Sequence, residues 1–243
     1  MNAVLSAVLV VVLVILFIKY YGVYSKFNTS PVVVCNKEGN GPECETRNIH
    51  NLHKNREAAA KLMDDIVVDV DKLIDHLREK YTTKGWTGMN PDKAGVIDVV
   101  PSVGAYESAS GDVDVKGSDY MQERVNQLIE RYNRDSIYEI SPRNKANLTS
   151  YTENKGDQLV LCLREKTPRG GDNQLHDKNT MIFVTVHELT HIMNDEWGHE
   201  EDFWNLFRTM LENATEIGIY YPVDYKHHPI NYCGLTLNYS PLF

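Results

Sequence analysis

The stretch that most constrains this chain is Met181-Ile182-Phe183-Val184-Thr185-Val186-His187-Glu188-Leu189-Thr190-His191, followed by Gly198-His199-Glu200-Glu201-Asp202-Phe203-Trp204. No Pro or Gly falls between 181 and 197, and Met181, Val184, Leu189 and Ile192 can be buried, so the pattern predicts a helix. Asp177, Asn179 and Thr180 stand upstream as N-cap candidates. His187 and His191 are four apart and project from one face, a turn from each other. Two imidazoles so placed can share a tetrahedral Zn²⁺. Glu188 would lie beside the metal without binding it, where it can take a proton from water that the metal has acidified. The plainer alternative, an amphipathic helix with two incidental histidines, does not account for a further His at usable distance.

A zinc held by two histidines needs a third protein ligand and an open position. His199 lies beyond Gly198, which can end the helix and reverse the chain, while Glu212 and Glu216 lie in the next predicted helix. The spacing to His199 is not the His-x-x-Gly-x-x-His of metzincins, and a downstream glutamate would suit a thermolysin-like site. All three candidates stay open on spacing alone.

The 243 residues carry a net charge of −9, with 24% charged and 42% hydrophobic residues, a globular composition. No basic stripe of the kind duplex DNA requires is present, so direct nucleic-acid binding is not expected. One segment departs from that composition. Ala3 to Ile18 is uncharged and almost wholly aliphatic, with Ser6 its one polar residue; Lys19, Tyr20, Tyr21 and Tyr24 follow. This reads as a retained single membrane span rather than a cleaved signal peptide, since no basic region precedes it and no small-x-small site closes it. The expected organisation is an N-terminal anchor at 1–24, a membrane-proximal linker at 25–50 and a catalytic domain at 51–243. Lys19 and Lys26 weakly favour a cytosolic domain. Four Asn-x-Ser/Thr sequons, at Asn28, Asn147, Asn213 and Asn238, point the other way, although Asn213 falls inside a predicted helix.

Leu62, Ile66, Val70, Leu73 and Leu77 recur at spacings of three and four, predicting a helix from about Leu52 to Tyr81. His50, His53 and His76 are scattered and read as surface residues. Glycines and prolines punctuate 82–118, with a short strand conceivable at 96–100. A second helix is expected from Ser118 to Arg134. The clearest strand is 158–164, either a buried core strand or an edge that adds extended substrate to the sheet. Cys35 and Cys44 bracket a Gly/Pro/Asn-rich loop and are either bridged or free thiols. Cys162 sits in the strand and Cys233 in a loop, and no Cys-x-x-Cys pair supports a second zinc site.

The sequence from His187-Glu188-Leu189-Thr190-His191 to Gly198-His199-Glu200-x-x-Phe203-Trp204 resembles the WLM-type (Wss-like) metalloproteases and, more loosely, the SprT-like zincins. That resemblance implies His199 as the third zinc ligand, although the gap from His191 is slightly longer here than in the WLM pattern. It also implies an α+β fold, which with the anchor gives an N-terminal transmembrane helix followed by a zincin-like metalloprotease domain, its active-site helix packed on a small sheet. Ile140-Ser141-Pro142, Leu148-Thr149-Ser150-Tyr151-Thr152, Leu175-His176-Asp177, Gly218-Ile219-Tyr220, Val223-Asp224-Tyr225 and Tyr232-Cys233-Gly234 further resemble proteins of large DNA viruses and some algae, over roughly 120–243.

The expected function is thus a membrane-anchored zinc endopeptidase with Glu188 as general base. Its partners would be a protein or peptide substrate, the membrane and, by the viral resemblance, capsid proteins; its place would be a virion or host internal membrane. The alternative is a catalytically silent zincin-fold structural or minor capsid component. Tyr225, His227, His228 and Tyr232 lie in a C-terminal loop, with Tyr225 and His228 the chosen candidates for substrate or oxyanion contact. His176 is a candidate supporting residue, and Phe203 and Trp204 read as anchors for the segment that carries His199.

Overall fold

The computed structural model describes residues 10–13, 28–36, 43–82, 115–141, 149–166 and 174–243. The possible strand at 96–100 and the sequon at Asn147 lie outside these residues, as does most of the apolar run. Among the described residues no helix is long and apolar enough to cross a membrane. The expected transmembrane helix is therefore corrected: of the run 3–18, residues 10–13 are described, as an exposed helical stretch. What the described residues form is an α+β fold with a mixed sheet.

Strands β1 (Thr29–Asn36) and β2 (Glu43–His50) make an antiparallel hairpin. These residues were expected as an irregular linker, yet β2 pairs parallel with β3 (Ile137–Glu139) and is part of the sheet. β3 pairs parallel with β5 (Gln158–Leu161), and β4 (Tyr151–Glu153) closes the far side antiparallel to β5. The order is β1-β2-β3-β5-β4, so β5 is interior and β4 is an edge. The hairpin register sets Cys35 opposite Cys44, and the two are bridged. Cys162, just past β5, is bridged to Cys233, a pairing that sequence spacing did not suggest.

Helix α1 (Arg56–Thr82) buries Ile66, Val70, Leu73 and Leu77 of the expected stripe, together with Met63, Val67 and Ile74, while Leu62 is only partly buried. Each such side chain contributes roughly 1.5–3 kcal/mol by leaving water. Its Asp64 is buried against Arg47 of β2 with Oδ1 2.8 Å from Nη2, which ties helix to hairpin. His50 is fully buried and the His53 side chain is only 9% exposed, unlike the surface residues expected. Helix α2 (Val115–Arg131) packs on α1 and on α3 (Lys178–Met193). Helix α4 (Glu201–Glu216) packs on α3, and a separate hairpin, β6 (Ile230–Tyr232) with β7 (Leu235–Leu237), follows. α3 is central, with neighbours in α1, α2, α4 and β4, which is why it is apolar nearly all round.

Candidate metal centre

Asp177 caps α3, accepting from the Thr180 backbone N–H at 2.9 Å and from its hydroxyl at 2.6 Å. The Thr185 and Thr190 hydroxyls donate to carbonyls one turn back, so these buried polar groups are satisfied inside the helix. His187, Glu188 and His191 lie in its last two turns. The helix stops at Met193, and the chain turns through Gly198, whose φ of 101° is the left-handed conformation that glycine tolerates. His199 follows, immediately before α4.

This path brings the three histidines together. The Nε2 atoms of His187 and His191 are 3.2 Å apart, those of His191 and His199 3.1 Å, and those of His187 and His199 3.0 Å. Among the described residues it is the one cluster of His, Cys, Asp or Glu able to hold a metal ion. Burial pushes His187 down to about 3 and His191 to about 4, and lowers His199, with the neighbouring imidazoles adding to the first two shifts. All three are neutral at pH 7, with lone pairs available. Converging lone pairs repel unless a cation sits among them, and ligand nitrogens around tetrahedral Zn²⁺ stand about 3.3 Å apart. The donor set fits zinc. Phe203, fully buried, lies with its ring centroid 4.9, 4.4 and 4.6 Å from those of His187, His191 and His199. Trp204 stacks on His199 at 5.7 Å.

The loop between His191 and His199 is held from two sides. Lys155, in the β4–β5 turn, donates to the carbonyls of Asn194 and Glu196, both at 2.6 Å, and lies 4.7 Å over the exposed Trp197 ring. Asp195 accepts from Arg124, Gln127 and Arg131 of α2 at 2.6, 3.1 and 3.3 Å. The Arg124 hydrogen bond, ahead of those from Gln127 and Arg131, holds the Asp195 carboxyl below its usual range. Arg131 also donates to the Ile192 carbonyl at 2.9 Å.

Glu188 is buried, and burial pushes its carboxyl up to about 8, with the Thr152 backbone of β4 opposing the shift. Glu212 and Glu216 are engaged elsewhere, with Arg208 and Lys80 respectively. Tyr225 is buried with its ring 4.8 Å from Phe183, and its hydroxyl faces Thr180 and Tyr220. His228 is exposed, its backbone N–H on the Asp224 carbonyl, and His227 pairs with Asp224. Another tyrosine, Tyr232, is buried between His176, 4.8 Å away ring to ring, and Ser150, and burial, with the Glu188 charge adding, raises its hydroxyl. Nothing in the local sequence singles out Tyr232 over Tyr225, because its partner Ser150 lies 82 positions away in the chain.

Fold and site define an α+β domain whose central helix presents a three-histidine, metal-ready cluster beside a buried glutamate. Residues 121–234 match the WLM domain family. It is a zinc-protease-like family, so the match suggests a metalloprotease-like function. The chain is 34% identical over 130 residues to an uncharacterized protein of Acanthamoeba polyphaga mimivirus, covering 49% of this chain and 63% of that protein. It is 39% identical over 84 residues to an uncharacterized protein of Invertebrate iridescent virus 6, covering 35% of this chain and 44% of the relative. A third relative, an uncharacterized protein of Invertebrate iridescent virus 3, is 36% identical over 86 residues, half of its length. The matches thus span 44% to 63% of these relatives' length, all from large DNA viruses as the resemblance implied. No solved structure matches.

Proposed function

We propose that this chain is a zinc-dependent endopeptidase. The observation that carries the reading is the convergence of three imidazoles on one point beside the buried Glu188, whose carboxyl a bound dication would return to the ionised form that a base needs. His187, His191 and His199 would hold Zn²⁺, which when bound polarises a carbonyl and acidifies water. Glu188 takes the proton of the attacking water and delivers it to the leaving amine. A substrate segment lies extended along β4, the edge strand next to α3, and pairs with its backbone. The sequence candidate for that role, 158–164, contains β5, which has a neighbour on each side.

Glu188→Gln keeps the shape of the side chain and removes the base. Zinc content is expected to stay at the wild-type level while peptide cleavage falls by about 10²–10⁴-fold. Cleavage at the wild-type rate would remove the assignment. A wild-type chain that holds zinc and cleaves nothing would favour the silent structural module.

A further inference from the structure

The Cys162–Cys233 bridge lies at the end of a chain of contacts that leads to Glu188. Cys233 is the corner of the β6–β7 hairpin, in the left-handed conformation at φ 49° and followed by Gly234 at φ 87°. This hairpin is a two-stranded sheet of its own, a unit that is marginal in water without other support. Its corner is the part that enters the core: Tyr232 and Cys233 are 2% and 1% exposed, whereas Leu235 is 48% exposed. Tyr232 meets Ser150 through a short hydroxyl–hydroxyl bond, and the Ser150 hydroxyl also accepts from the Cys162 backbone N–H at 2.9 Å. Ser150 leads into β4, only three residues long and, among the described residues, paired on one side only. Two residues on, Thr152 lies in β4, which packs on α3, the helix that carries Glu188.

We infer that Tyr232 is a positioning residue, locked by the Cys162–Cys233 disulfide, that sets Glu188 through Ser150 and β4 and makes turnover depend on the oxidised form. This rests on the endopeptidase reading. Reduction by a dithiol transfers two electrons and two protons to the two sulfurs. The S–S bond becomes two thiols, and the dithiol leaves as its own disulfide. The hairpin corner is then free to withdraw Tyr232, and β4 loses its anchor at Ser150. The three histidines are untouched, so metal binding persists. Misplacement of a reacting group by about 1 Å can cost about 10²-fold in rate.

The test compares oxidised wild type, dithiol-reduced wild type, Cys162→Ser/Cys233→Ser, Tyr232→Phe and, as control for the exposed bridge, Cys35→Ser/Cys44→Ser. Peptide cleavage, zinc content and amide hydrogen exchange at 150–153 are measured on each. Reduction, the Cys162/Cys233 pair and Tyr232→Phe should each lower kcat about tenfold or more, with KM within about twofold. Zinc content should hold, and exchange at 150–153 should quicken. The Cys35/Cys44 variant should match wild type. Tyr232→Phe keeps the ring on His176 and both cysteines, so it reports even if the double cysteine variant misfolds. Full activity of Tyr232→Phe, or of the reduced protein, with unchanged exchange would overturn the inference. If no form cleaves peptide, the endopeptidase reading falls, and exchange at 150–153 alone decides: faster on reduction supports the linkage, unchanged sinks it.

Discussion

Three imidazoles within about 3 Å of one another, none inclined to carry a proton, are an arrangement that a cation relieves. Metal binding should therefore stabilise the folded chain, because the unfolded chain has no such cluster. Added zinc is expected to raise the thermal midpoint of the metal-stripped wild type and to leave that of His199→Ala nearly unmoved. A large zinc-induced rise in His199→Ala would mean that another group completes the site. His187, Glu188 and His191 were readable because all three sit on one uninterrupted helix, where spacing fixes geometry. His199 was one of three candidates by spacing, and the structure separates it from Glu212 and Glu216 by giving each glutamate a cationic partner elsewhere. Tyr225 and His228 illustrate the opposite case. Where a loop residue points depends on contacts made far along the chain, and no local pattern reports them.

At the scale of elements, the loop from Asn194 to Gly198 decides whether His199 reaches the other two histidines. It is held by anchors in two other elements, Lys155 in the β4–β5 turn and the arginines of α2. Lys155→Ala combined with Asp195→Ala should weaken zinc binding by about 10–100-fold, the usual effect of removing groups that orient ligands. Competition with a chelator measures it. Unchanged affinity would show that Phe203 and Trp204 alone fix His199. These anchors were hidden in the sequence because Asp195 looks like any surface acid until α2 is folded beside it. The role of the 158–164 stretch was equally hidden: its β-rich composition reports a strand, not whether that strand has one neighbour or two.

For the whole molecule, acid stability depends on buried histidines. His53 is driven down to about 4 by burial, with the Arg164 charge adding and a hydrogen bond to the Ile140 carbonyl opposing. In the unfolded chain it titrates near ~6.5. Between those values the unfolded chain binds more protons, so this contribution is full above pH ~6.5 and is lost as pH falls toward about 4. Glu188, raised to about 8, acts in the opposite sense over its own range, so the effect must be read as a difference. His53→Gln should lose less stability than wild type between pH 7 and 5, as read from urea midpoints. Equal losses would remove His53 from the account. The family match begins at 121, yet α1, β1 and β2 lie before it and supply much of the buried core. A 121–234 fragment is accordingly expected to lack a cooperative thermal transition, whereas a fragment starting at 28 should keep one.

The parallel pairing of β2 with β3 bears on how the chain comes to be folded at all. Asn48 meets Tyr138, some ninety positions later in order of synthesis. The first hairpin can form early and locally, but its inner edge stays uncovered until β3 has been made and has found it. Non-local parallel pairing of this kind is slow. The metal ligands come later still in the chain, so the sheet and its hairpin must wait for their partners longest, and the histidines can assemble only on a frame that is already old.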